Sequence, residues 1–210
     1  EKTINNQVHG NIVDCSGIDY GRGFGTDGGW QQTGDPTATA AGCMYNYIYN
    51  NTFRNIPARN QINGTTNYVF NNIIDGVLGV SWRSDDTAQG VTFEGYGNGV
   101  SYGNVFVNNL VINCTSVAAQ VGVGSGSGEI SGNIISNNIF YNTGKNPREA
   151  GMAGMAVVIS TFSSIKKNVF QNNAIYTGSS TPVYYKTDGA ISVSVFNTKT
   201  DDAVSGNIQS

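Results

Sequence analysis

The stretch GVLGVSWRSDDTAQGVTFE, residues 76–94, gathers the side chains best suited to chemistry. It leaves one apolar run, sets Trp82, Arg83, Asp85 and Asp86 in a loop, and enters a second apolar run that ends at Glu94. Cleaving a glycosidic bond by hydrolysis takes two carboxyl groups, one as acid and the other as base or nucleophile. Cleavage by elimination takes a base instead, and hard carboxylate oxygens could hold Ca2+ beside it. Asp85, Asp86 and Glu94 could serve in either scheme. Trp82 offers a ring on which a pyranose can stack, and Arg83 a guanidinium for an anionic group. The plainer reading of Ser84-Asp85-Asp86 is a turn or the tip of a polar loop.

A second, longer excursion covers residues 16–42, with Tyr20, Arg22, Phe24, Asp27, Trp30 and Asp35 set among seven glycines between 17 and 34. Its GRGFGTDGG stretch is not a phosphate loop, because no Lys-Ser/Thr follows and no strand-to-helix context surrounds it. Tyr20, Arg22 and Trp30 are candidate substrate-binding residues, since long loops on a rigid scaffold concentrate binding groups. The same aromatics could equally pack the loop onto the scaffold beneath. The 142–155 loop adds Lys145, Arg148 and Glu149, useful for an acidic glycan and ordinary as solvated charge. Cys15 and Cys43 flank the long loop, and a bridge between them would suit an extracellular protein; the simpler expectation is small buried thiols. Zinc is not expected with one His, three Cys and no Cys-x-x-Cys spacing.

The elements that must position these loops repeat. An Asn recurs at Asn11, Asn51, Asn72, Asn109, Asn138 and Asn173, preceded by Asn in all but the first. Five residues upstream of each stands another Asn: Asn6, Asn46, Asn67, Asn104, Asn133 and Asn168. The residues three upstream and two downstream are always apolar, as in Ile48 and Phe53 or Phe106 and Val111. A seventh, imperfect copy has Val204 and Asn207, with Asp202 at the upstream position. Self-similarity at intervals of 21–40 residues marks a solenoid or propeller. A two-residue hairpin would want Asn-Gly or Asp-Gly. Asn tolerates the left-handed region and carries both a donor and an acceptor. Corners stacked at the strand spacing of about 4.8 Å would therefore bond amide to amide in a ladder, with the apolar positions facing a common core.

Three residues past each Asn the column reads Asp14, Arg54, Asp75, Ile112, Tyr141, Tyr176 and should face outward. Asp14 and Asp75, two rungs apart at about 9.6 Å, could form a carboxylate pair. A surface Asp–Arg–Asp charge ladder is the favoured expectation, because an Arg between two acids lowers both pKa values and spoils a general acid.

Strand, Asn corner, strand and variable loop, repeated about once per coil, resembles the right-handed parallel β-helix of pectate lyases, phage tailspikes and related proteins. The resemblance implies an all-β fold, a right-handed parallel β-helix solenoid of about six coils over residues 1–210. It also implies a polysaccharide as partner and an extracellular, cell-surface or virion location. Asp85-Asp86 is similar to the Asp-Asp pair of polygalacturonase-like members, although their Gly-His-Gly and Arg-Ile-Lys motifs are absent here. Tailspike-like members are often homotrimers, which makes a homotrimer an assembly to test.

Composition fits that scaffold. Twenty-eight glycines and 27 asparagines supply corners, only 12% of residues are charged, and the net charge is −3. No basic footprint for nucleic acid is present, and no apolar run is long enough for a membrane span. Both ends fall in or near the repeat, so the expectation is a segment of a longer chain or a coil stack capped by a neighbouring segment. Two functions remain. One is a protein that binds and cleaves a polysaccharide as a lyase or glycoside hydrolase. The other is a non-catalytic β-helix: an adhesin, a carbohydrate-binding module or a fibre shaft.

Overall fold

A computed structural model of the chain describes residues 3–18, 21–26, 43–79, 88–95, 100–122, 128–145, 153–160 and 165–209. Candidate residues Tyr20, Trp30, Trp82, Arg83, Asp85 and Asp86 lie outside them.

Each coil contributes four short strands, one to each of four sheets. In the second coil these are Cys43–Met44, Tyr47–Tyr49, Thr52–Ile56 and Asn60–Ile62. Equivalent strands of successive coils pair in parallel, so six coils are stacked in register and a seventh adds strands to the second and third sheets only. The chain is a parallel β-helix.

The Asn-Asn corner divides two jobs between its residues. Asn50, Asn71, Asn108, Asn137 and Asn172 take left-handed φ of 53–57° and turn the chain from the second sheet to the third. The Asn that follows is buried and builds the ladder. Both the backbone N–H and the Nδ2 of Asn51 donate to Asn72 Oδ1, at 3.0 and 3.1 Å. Its other amide hydrogen reaches the Val8 carbonyl at 2.8 Å and the Tyr49 carbonyl at 3.0 Å. The motif repeats from Asn11 to Asn207, so each buried amide is satisfied without water. A second ladder runs from Asn6 through Asn168 at the corner between the first and second sheets. There the left-handed residue varies, from Tyr45 and Thr66 to Gly103 and Lys167, because only the backbone is asked to turn. Asp202 ends this ladder by accepting from the Asn168 N–H at 2.9 Å.

Between the ladders the predicted inward columns fill the core. Val69, Phe106, Ile135 and Phe170 face in from the second sheet, and Phe53, Ile74, Val111, Phe140 and Ile175 from the third, all almost fully buried. Each such side chain contributes about 1.5–3 kcal/mol. Val8 of the first coil, paired among the described residues only with Ile48, is 43% exposed.

At the other end the core is covered by the chain itself. After Val183–Tyr185 the backbone reverses into an antiparallel strand, Gly189–Ile191. A short helix, Val193–Phe196, then starts on Ser192, whose Oγ accepts the Val195 N–H. Phe196 packs on Phe170 and Tyr185 with ring centroids 5.5 and 5.7 Å apart. Asn197 acts as the last rung of the ladder that runs from Asn11 to Asn207, its Oδ1 accepting from Asn207 Nδ2 at 2.8 Å. Cys15, Cys43 and Cys114 are all buried and none is disulfide-bonded, so no bridge closes the long loop.

Candidate functional site

On the fourth sheet the strand residues that point away from the core, Gln61, Thr92, Gln120 and Val158, are buried as well. Glu94 lies just past the strand Val91–Phe93 and is wholly enclosed. Arg59, just before the strand Asn60–Ile62, meets Glu94 Oε1 through Nε at 2.6 Å, and its Nη2 lies 3.4 Å from Oε2. Gln61 Nε2 donates to Oε2 at 2.8 Å and Thr92 Oγ1 to Oε1 at 2.7 Å. Arg22 donates from Nη1 to Gln61 Oε1. Thus two of the sequence candidates, Arg22 and Glu94, are brought into one network through Gln61.

Burial pushes the Glu94 carboxyl above its ordinary range, and Arg59 and Thr92 pull it back in part. A carboxyl raised by burial in a cleft is the pattern of a general acid. Here, however, both oxygens are engaged, and the network joins residues 22, 59, 61 and 94 as an anchor between three coils. Arg59, Gln61 and Thr92 were not among the sequence candidates. Their signal was present as a polar strand, Arg59-Asn60-Gln61, where the core grammar leads one to expect apolar residues. Among the described residues no group of three or more His, Cys, Asp or Glu could hold a metal ion.

The Asp14–Arg54–Asp75 column is real, with the three residues in register across adjacent third-sheet strands. Asp14 is held at about 2, first by the Asn55 amide and the Ser16 hydroxyl and N–H, with Arg54 contributing least. The lowering anticipated from Arg54 comes mainly from hydrogen bonds. A carboxyl so acidic stays ionised and donates no proton to a leaving group. Asp75 accepts from Asn113 Nδ2 at 2.7 Å, continuing a polar corner row.

The most distinctive exposed surface is the outer face of the second sheet. His9, Tyr49 and Phe70 stand in register and stack at 4.8 and 4.9 Å, with interplanar angles of 15° and 1°. Beside them Tyr47 and Tyr68 stack at 5.0 Å and 6°. Each ring covers its neighbour's face, so the columns turn ring edges to solvent. Tyr49 Oη also meets Gln7 Oε1 at 3.3 Å. Tyr45 and Tyr102 extend the aromatic character across the first corner, at 44% and 55% exposure. The sequence signal was the recurrence of aromatics four and two residues before successive ladder asparagines, in Tyr47-Ile48-Tyr49 and Tyr68-Val69-Phe70.

No family model, curated protein or solved structure matches the chain. Among the described residues no helix is long and apolar enough to cross a membrane.

Proposed function

We propose that the chain is a polysaccharide-binding β-helix of the pectate-lyase-like or tailspike-like kind, acting outside the cell, at its surface or on a virion. The observation that carries this reading is the pair of stacked aromatic columns, His9–Tyr49–Phe70 and Tyr47–Tyr68, on an exposed sheet face. Rings already immobilised by stacking lose little conformational freedom when a ligand settles on them. Tyrosine hydroxyls in a row give a polyol both donors and acceptors.

Cleavage, by hydrolysis or by elimination with or without Ca2+, rests on Asp85 and Asp86, with Trp82, Arg83 and Trp30 as sugar contacts. Binding is the better-supported half of the proposal, because Glu94 is closed in by its own donors. A second reading, a fibre shaft or adhesin assembled as a homotrimer, draws on the third sheet. There Ile12, Ile73, Ile139 and Ile208, 40–71% accessible, alternate with half-buried Thr52, Leu110 and Ala174 in one largely aliphatic column, of the kind that packs against protein.

The test is retention of the folded chain on immobilised neutral and uronic-acid polysaccharides, with reducing ends and unsaturated ends followed in the same samples. Retention weakened by Tyr49→Ala/Phe70→Ala supports the proposal, and new ends lost in Asp85→Asn/Asp86→Asn would add catalysis to it. Folded protein that binds no glycan, yet sediments as a trimer, would replace it with the shaft reading.

A further inference from the structure

Beside the aromatic columns runs a row of side chains that neither ladder uses. Asn50, Asn71, Asn108, Asn137 and Asn172, the left-handed residues of the second corner, are exposed in five successive coils. Their backbones are tied coil to coil, as in Asn50 N–H to the Phe70 carbonyl and Asn71 N–H to the Val107 carbonyl. Among the described residues no protein group bonds their side-chain amides. The row is straight and fixed in pitch, spanning about 19 Å at the ordinary strand spacing.

Its surroundings carry no formal charge. The outward columns on either side are the first and third residues of every second-sheet strand and the first residue of every third-sheet strand. With the corner residue itself, these positions run from Gln7 to Ile208 without one Asp, Glu, Lys or Arg. Charges begin one column further out, at Asp14, Arg54 and Asp75 on the third sheet and at Lys167 and Asp201 on the first corner.

We infer that this amide row is a binding track for an uncharged, linear polysaccharide lying along the solenoid axis. The inference rests on the proposed glycan-binding function and narrows its substrate class. Each primary amide offers donors and an acceptor, which suits hydroxyls on successive sugar units. A uronate carboxylate laid on the same surface would lose water with no cation in the columns it covers, a cost neutral sugars do not meet. Charge complementarity here means the absence of charge on both sides.

The test is titration of the intact chain with neutral hexasaccharides, namely cello-, xylo-, manno- and chitohexaose, and with hexagalacturonate as the anionic probe. Asn71→Asp/Asn108→Asp places two carboxylates on the track while keeping a residue that accepts positive φ. Trp82→Ala probes the 76–94 loop instead, and melting curves verify folding of every variant. The expected result is binding of at least one neutral hexasaccharide, weakened about tenfold or more by the Asp pair. Tighter binding of hexagalacturonate than of any neutral probe would overturn the inference and leave glycan binding standing. So would neutral binding that survives the Asp pair and fails with Trp82→Ala. Binding of no probe at all would overturn both the track and the function on which it rests.

Discussion

Replacing Asn109 by Ala tests whether the amide ladder, and not merely Asn-rich corner geometry, holds the coils together. Asn109 is 2% exposed, in the middle of the ladder from Asn11 to Asn207. Its Oδ1 accepts both the N–H and Nδ2 of Asn72 at 3.0 Å, and its Nδ2 donates to Val69 O, Val107 O and Asn138 Oδ1 at 3.0–3.2 Å. In the variant, Asn72 Nδ2 still has the carbonyls of Ile48 and Phe70, and Asn138 Oδ1 still receives the Asn109 N–H. The Asn72 N–H loses its acceptor inside a dry corner. One orphaned buried donor costs about 1–3 kcal/mol, and the remaining lost bonds bring the total to about 2–4 kcal/mol. Asn108, one residue earlier, supplies the control. Asn108→Gly keeps the left-handed turn and should be nearly neutral, whereas Asn108→Ala should cost about 1–2 kcal/mol for a strained φ. Urea unfolding by far-ultraviolet circular dichroism at constant m should lower the Asn109→Ala midpoint by roughly 1 M. Exchange of the Asn72 amide should rise in Asn109→Ala and not in Asn108→Gly. If Asn109→Ala is no less stable than Asn108→Ala, the ladder is decoration and the reasoning fails.

Arg59→Met removes the guanidinium from a buried pair and should cost about 3–5 kcal/mol; a loss below about 1 kcal/mol in urea unfolding would show the pair to be dispensable. Because the Glu94 pKa is raised in the fold, its contribution to stability is fully present below the ordinary carboxylate value and declines as pH rises through the folded value. Arg59→Met should extend that decline to higher pH in a stability–pH profile. Asp14 has the opposite sign: held at about 2 against an ordinary 3.8, it contributes stability above the ordinary value that is lost as pH falls toward 2. Asp14→Asn should flatten the acid limb of the same profile, and an unchanged limb would count against the Asn55 and Ser16 bonds. Burial pushes the Cys114 thiol up to about 12 and the Cys15 thiol upward. An aromatic disulfide reagent should therefore leave all three cysteines unmodified in the native protein and label all three in urea. Prompt labelling, or an intact mass lower by two hydrogens, would contradict three buried, unbridged thiols.

The inward columns and both ladders were legible from the sequence because a buried corner admits few solutions. Ile48, Phe53, Asn46 and Asn51 each sit where only an apolar group or a bonded amide is tolerated, so the pattern survives from coil to coil. Asp202 was legible for the same reason, as an acceptor replacing an acceptor. Outward residues obey no such rule. The Tyr47–Tyr68 and Tyr49–Phe70 stacks lie on a face where solvent also tolerates Val105 or Ser136, so the pattern fades after three coils. The fourth sheet has no corner Asn to index it, and the loops between third and fourth sheets differ in length. Arg59, Gln61 and Thr92 converge on Glu94 only when Asn60–Ile62 and Val91–Phe93 pair, although 29 residues separate Ile62 from Thr92. The closing helix was hidden because Phe196 and Asn197 stand outside the repeat and act as its next rung from a different local structure.

The direction of the ladder bonds gives the solenoid an electrical axis. From side chain to side chain, each rung donates to the ladder residue of the later coil and accepts from that of the earlier one, so the side-chain dipoles add head to tail, as peptide dipoles do in an α-helix, and polarise one another. The positive pole of the first row lies at its Asn168 end, where Asp202 replaces the amide. Its carboxylate takes the Asn168 N–H, with Lys186 Nζ at 2.9 Å and Tyr185 Oη at 3.0 Å on its other oxygen. An acid is the group that such a pole stabilises. The departure of this last copy from the repeat is thus a terminus written into the field of the row it ends.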